Sequence, residues 1–387
     1  MSAIREVERA EELYHDLSLG AVREWRARNG GRKAVGYTPI YVPRELIDAA
    51  GMLPVGLFGG GDQVEIIRGD AYFQSYICQI PRSSIELALS GRYDEMDGFL
   101  FPSICDVMRN LSGMWKILFP DKFVRYFDVP QNYADEVGGR YYEAELRALV
   151  RDLGALAGTT VEDDDIRASI DRYNKNRAVI EEIMARRNRE PWRVPAFEAY
   201  LMVRAGAVLP VDEHTQLMRD YLLAIDRVDR PMRDNSRVVV VGSFCEQPPL
   251  GLIKTLEVAG CYIVWDDMML GSRWLRAPVS TEGDPVAALS RAFLRESVET
   301  ASRYEPDKPK GKYLVDIVRE THAEGVIFAA PSFCDPSLLE QPMLQSALDA
   351  AKIPWTALKY AENLGQFQVI REQAGTFADS IKLWSDA

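Results

Sequence analysis

Short, largely apolar runs occur at 34–37, 53–58, 99–101 and 123–127 in the first third of the chain, with Arg125 the one charged residue inside them. Runs this short and apolar predict strands of a parallel sheet covered on both faces. Between them apolar positions recur every three or four residues, which predicts helices over 72–89 and 107–118, and an opening helix over 5–29 that stops at Gly30-Gly31. From about 135 to 234 the pattern is helical throughout, with segments at 141–156, 162–187, 196–204 and 212–228 punctuated by Gly158, Pro191, Pro195 and Pro210. The acidic run Glu162-Asp163-Asp164-Asp165 sits where the second of these begins, a place where negative charge suits the helix dipole. Alternation resumes with strands at 238–241, 262–265, 326–328 and 355–359, an exposed loop over 303–312 and a terminal helix over 365–384. The pattern predicts an α/β fold: two domains with mainly parallel sheets, residues 1–135 and 236–387, joined by a helical segment over 136–235.

The two halves echo each other. Pro102-Ser103-Ile104-Cys105-Asp106 and Pro331-Ser332-Phe333-Cys334-Asp335 are near copies, and each follows a glycine-led apolar run, Gly98-Phe99-Leu100-Phe101 or Gly325-Val326-Ile327-Phe328. Upstream, strand, proline-bearing loop, helix, Ala-Gly and strand recur in order, with Ala50-Gly51 in one half and Ala259-Gly260 in the other. A strand ending in a loop that presents a cysteine therefore appears twice. In open α/β sheets ligands bind beyond the carboxyl ends of strands, so two facing halves could bring both thiols to one metal or redox site.

Composition narrows the function. The 387 residues are 47% hydrophobic and carry a net charge of −12, which suits a globular protein and argues against a nucleic-acid backbone as partner. No apolar run is long enough to span a membrane, and the charged N-terminus lacks the apolar stretch of a secretory signal, so a cytoplasmic protein is expected. Five cysteines are too few for a disulfide framework in such a chain, and none lie in a C-x-x-C pair. A metal site would have to be assembled from distant segments. Cys78 precedes the helix leading toward Cys105, and with Cys105 and Cys334 it could form a three-thiolate pocket; a buried structural role is the bland alternative for each. Cys261 opens an apolar strand and reads as core, whereas Cys245 is expected in a loop toward the same cleft, where it could line the site or replace one of the three ligands. No phosphate loop or nucleophile elbow is present, Gly59-Gly60-Gly61 lacks dinucleotide-fingerprint spacing, and His15, His214 and His322 fall in helices as packing or surface residues.

Gly36-Tyr37-Thr38-Pro39, Pro43-Arg44-Glu45-Leu46, Ala49-Ala50-Gly51 and Pro54-Val55 resemble the opening of the 2-hydroxyacyl-CoA dehydratase component D family, which includes subunits of ATP-dependent benzoyl-CoA reductase. Asp266-Asp267 with Gly271-Ser272-Arg273-Trp274, Phe333-Cys334-Asp335-Pro336 and Ile353-Pro354 extend the resemblance over nearly the whole chain. The length and motif wording are most similar to the smaller cluster-bearing subunits of the reductase branch. The resemblance implies two Rossmann-like domains with a 4Fe–4S cluster between them, its ligands falling on Cys78, Cys105 and Cys334. It also implies a related sister subunit, a separate ATPase activator with its own bridging iron–sulfur cluster, ferredoxin as electron source and an aromatic acyl-CoA substrate. The implied reaction is reduction of the benzoyl-CoA ring to a cyclohexadiene-carboxyl-CoA. Radical dehydration of a 2-hydroxyacyl-CoA, or electron transfer without a substrate site, are the alternatives.

Overall fold

Two four-stranded parallel sheets organise the chain. The structure, a computed structural model, describes residues 4–242, 248–268, 270–301, 303, 305, 308–361 and 367–385. The first sheet contains β1 (Ala34–Tyr37), β2 (Leu53–Gly56), β3 (Gly98–Pro102) and β4 (Phe123–Phe127); the second contains β5 (Ser236–Val241), β6 (Cys261–Asp266), β7 (Gly325–Pro331) and β8 (Trp355–Tyr360). Their spatial orders, β2-β1-β3-β4 and β6-β5-β7-β8, are the same when counted within each half, so β3 and β7 are topological equivalents. Each begins with a glycine for the same reason. A Cβ on Gly98 would lie 2.9 Å from the Phe123 ring, and one on Gly325 would lie 2.7 Å from the Phe377 ring.

The helices are α1 (Arg5–His15), α2 (Gly20–Arg28), α3 (Arg44–Ala49), α4 (Gln79–Leu89) and α5 (Asp106–Leu118) in the first half, then α6 (Arg140–Ala157), α7 (Asp163–Arg189), α8 (Ala196–Ala205) and α9 (Val211–Ile225) in the middle. The second half carries α10 (Leu250–Val258), α11 (Leu270–Arg273), α12 (Pro285–Glu296), α13 (Lys312–Glu320), α14 (Asp335–Ala350) and α15 (Phe367–Ser385). The opening helix expected over 5–29 is two helices. Asp16 takes the N–H groups of Ser18 and Gly20 at 3.0 and 2.6 Å, and Leu19 turns into the left-handed region, so the chain breaks there. The helix expected from 72 starts only at Gln79. The acidic run behaves as expected: Glu162 and Asp165 close a reciprocal cap on α7.

Alternation along the second-half strands separates two packing faces. Val238 and Val240 join Ile263, Ile327 and helices α8, α10 and α15 in one cluster, whereas Val239 and Val241 join Phe328, Leu314 and Leu344 in another. The halves also exchange helices. Val7, Leu13 and Tyr14 of α1 pack in the second-half core, while Val286, Leu289 and Phe293 of α12 pack in the first-half core. Helix α7 bolts both together: Arg177 pairs with Glu45 of α3 at 2.6 Å, and Arg187 pairs with Asp266 of β6 at 2.5 Å.

Candidate functional site

The polypeptide leaves β3 and β7 by the same route. Each strand ends in proline, and the serine that follows donates its N–H to the last residue of the neighbouring strand: Ser103 to Phe127 at 2.9 Å, Ser332 to Tyr360 at 2.7 Å. Two residues later the chain enters a helix. Cys105 is the N-cap of α5, and Cys334 is the N-cap of α14. Cys78 is the N-cap of α4. All three cysteines expected as ligands therefore share one local setting, in which the first amides of a helix lack intrahelical acceptors and favour negative charge.

Burial raises the Cys105 pKa most; the N–H groups of Met108 and Val107 oppose that, and the charge of Cys334 adds to it. Electrostatics thus couples the two cysteines across the halves. Cys334 is buried, while Cys78 and Cys105 are partly exposed. Phe333, just before Cys334, has φ +70° and leaves 49% of its surface exposed. A non-glycine residue held in that region costs on the order of 1–3 kcal/mol, and such strain concentrates at functional sites. Among the described residues no group of three or more His, Cys, Asp or Glu side chains could hold a metal ion.

The remaining cysteines divide. Cys261 is buried at the amino end of β6, away from the edge that carries Cys334, and burial pushes its thiol up to about 12. It is core, as expected. Cys245 lies outside the described residues. His214 is a packing residue: its Nε2 donates to the Met202 carbonyl at 2.8 Å and its Nδ1 accepts from Asn176 at 3.0 Å, fixing one neutral tautomer.

The sequence matches the family model described as "2-hydroxyglutaryl-CoA dehydratase, D-component" over residues 39–381. The chain belongs to this family. It is 59% identical to a benzoyl-CoA reductase subunit of Thauera aromatica over 386 residues, covering 100% of both chains. More distant relatives include the beta subunit of (R)-2-hydroxyglutaryl-CoA dehydratase from Acidaminococcus fermentans, 30% identical over 91% of this chain and 93% of that one. The beta subunit of (R)-phenyllactyl-CoA dehydratase from Clostridium sporogenes is 26% identical over 91% of this chain and 92% of that one.

Beside the cysteines, this D-component chain contains polar groups that its sequence pattern does not single out. Asp267, at the carboxyl end of β6, accepts from the Gly242 N–H at 2.6 Å; burial, with the charge of Asp266 adding, raises its pKa to about 7. It faces a cavity of about 370 Å³ shared with Tyr313, Glu299, and Ser337 and Glu340 of α14, the helix that Cys334 caps. Asp266 itself is buried between Arg187 and Arg273, the latter at 3.4 Å. In the sequence the Asp266-Asp267 pair is visible only through the family motif. Arg187 sits among five other arginines in α7, and no spacing marks it and Arg177 as the buried ones.

Proposed function

We propose that this chain is the iron–sulfur component of an ATP-dependent, ferredoxin-driven reductase that reduces the aromatic ring of benzoyl-CoA to a cyclohexadiene-carboxyl-CoA. The observation that carries the reading is the pair of matched helix caps, Cys105 and Cys334, placed by equivalent strands and coupled in charge. The full-length identity to a benzoyl-CoA reductase subunit supports the substrate. In this reading the chain folds as two Rossmann-like domains around a 4Fe–4S cluster held by Cys78, Cys105 and Cys334.

The residues present fit such a group. The thiolates of a cluster bind different irons and stand farther apart than the sulfurs around one tetrahedral ion, where bonds of about 2.3 Å force close convergence. Three helix N-termini present amides toward negative charge, and those of Val107 and Met108 already act on Cys105. Burial of Cys334 keeps water from one side. When bound, a cluster with three protein thiolates would supply single electrons at low potential and leave one iron without a cysteine.

An electron enters an aromatic ring only at very low potential, and a conjugated thioester lowers that demand. The chain has no phosphate loop, so ATP hydrolysis belongs to an activator with its own bridging cluster, fed by ferredoxin. The assembly also needs a related sister subunit, and it works in the cytoplasm. No helix among the described residues is long and apolar enough to cross a membrane. The dehydratase names of the more distant relatives keep a second reaction in play. Product analysis of the assembled complex with benzoyl-CoA separates them. A dienoyl-CoA with ATP consumed at every turnover supports the reductase. No ring reduction, together with an enoyl-CoA from a 2-hydroxyacyl-CoA and only catalytic ATP, would replace it with the dehydratase.

A further inference from the structure

A second cleft lies where the loop after β2 meets the segment that enters α10. Its volume is about 300 Å³, and Gly59, Gly60, Gly61, Arg204, Pro248 and Pro249 contribute to its walls. Arg204, in the last turn of α8, is held by rings: its guanidinium carbon lies 4.2 Å from the centre of Phe58 and 5.2 Å from that of Tyr14. Among the described residues no carboxylate pairs with it. Elsewhere in this chain a partly or fully buried arginine usually finds one, as Arg177, Arg187 and Arg230 do.

The glycine loop adds donors. Phe58, Gly59 and Gly60 are buried, and Gly60 donates to Ser83 Oγ at 3.2 Å. The N–H groups of Phe58 and Gly59 have no acceptor among the described residues. Buried backbone donors are almost always paired, so these two amides, beside a guanidinium with no carboxylate partner among the described residues, are donors that an anion would satisfy. Gly59 has φ +71°, a turn that favours glycine, and it lines the cleft without a side chain. Asp16 lines the adjoining cavity, and its oxygens are taken up by Ser18 and Gly20.

We propose that this cleft binds a phosphate group through Arg204 and the Phe58 and Gly59 amides. The place is chemically apt, since strand carboxyl ends are where open α/β sheets bind ligands and guanidinium with backbone amides is a recurrent phosphate cradle. Two sources share that chemistry: the nucleotide tail of an acyl-CoA, which draws on the proposed function, and free inorganic phosphate, which does not. The site stands whether or not the cysteines hold iron.

Titration calorimetry of the intact chain, prepared anaerobically, with coenzyme A and with inorganic phosphate in separate runs, tests it. At least one should bind at submillimolar concentration. Arg204→Gln should weaken binding at least about tenfold and Arg204→Lys less, because lysine keeps the charge. Tighter binding of coenzyme A, competed by phosphate, identifies the acyl-CoA tail; equal affinity identifies the free anion. Phenylglyoxal modification of the unsubstituted protein, mapped by peptide mass spectrometry, should show Arg204 protected by the bound ligand even if a variant fails to fold. Binding unchanged in a folded Arg204→Gln variant, absence of binding up to about 10 mM, which corresponds to under 3 kcal/mol of affinity, or no protection of Arg204 would overturn the assignment.

Discussion

Cys334 stands close enough to Cys105 for its negative charge to raise the Cys105 pKa, although 229 positions separate them in sequence (334 − 105). Each thiol caps a helix that follows the third strand of its own sheet. Two like charges brought together in a partly buried place disfavour ionisation, and a bound cation reverses that preference by neutralising both. The arrangement is thus costly for two thiolates alone and favourable for thiolates bound to metal.

The ion pair between Arg187 and Asp266 should be worth far more than the surface pairs. Both side chains are almost fully buried, at 2% and 4% exposure. Arg187→Met strands a buried carboxylate with only the more distant Arg273, so unfolding in denaturant should show a loss of about 3–5 kcal/mol. Lys175→Met breaks a pair with Asp171 on the exposed face of the same helix and should change stability by less than about 0.5 kcal/mol. Equal losses would mean that α7 does not bolt the halves together through Asp266.

Two groups, His214 in the core and the partly exposed Asp267, should tilt the pH dependence of stability in opposite directions. Burial lowers the His214 pKa from 6.5 to about 4, so between those values the unfolded chain binds the proton and the folded chain does not. Stability from this group therefore falls as pH drops from 6.5 toward 4, by about 3 kcal/mol in full, and His214→Gln should remove that slope. Asp267 is raised from 3.8 to about 7, so the folded chain keeps a proton that the unfolded chain releases, and stability falls as pH rises through that window. Asp267→Asn should flatten the loss on the alkaline side. Unfolding free energies from pH 4 to 8 for the three proteins test both signs.

Asp284 caps α12 by accepting from Val286 and Ala287 at 2.9 and 3.1 Å. Because α12 carries the second half's chain into the first half's core, the cap matters beyond its own helix. Asp284→Ala should cost about 1 kcal/mol and Asp284→Asn only a fraction of that. Thermal unfolding resolves the difference, and identical behaviour of the two variants would remove the cap from the account.

Much of this architecture is legible in the chain. The strands at 99–101 and 326–328 are short apolar runs between polar residues, and the matching Pro-Ser-x-Cys-Asp segments reveal their equivalence directly. Helix α12 is not legible. Its apolar residues face a core built by the other half of the chain, and no local pattern records that. The break at Asp16–Gly20 is hidden too, because it depends on a side chain bonding to nearby backbone rather than on hydrophobic period. At the site, the cysteines stand out through their repeated context. Arg204 and Asp267 do not, since what distinguishes them is, among the described residues, the lack of a carboxylate partner for one and desolvation of the other, which only the folded chain creates.

Iron and acid-labile sulfide, measured anaerobically on the assembled complex with electron paramagnetic resonance of the reduced protein, test the central claim most directly. The unsubstituted chain should carry a 4Fe–4S complement, and Cys78→Ser, Cys105→Ser and Cys334→Ser should each lose most or all of it. Cys261→Ser should keep its iron and lose only about 1–3 kcal/mol of stability, from a hydroxyl placed in a packed strand. Cys245→Ser should also keep its iron. Full iron retention in Cys105→Ser or Cys334→Ser would contradict the shared centre, and retention in Cys78→Ser with loss in Cys245→Ser would show that the third thiolate comes from the other half.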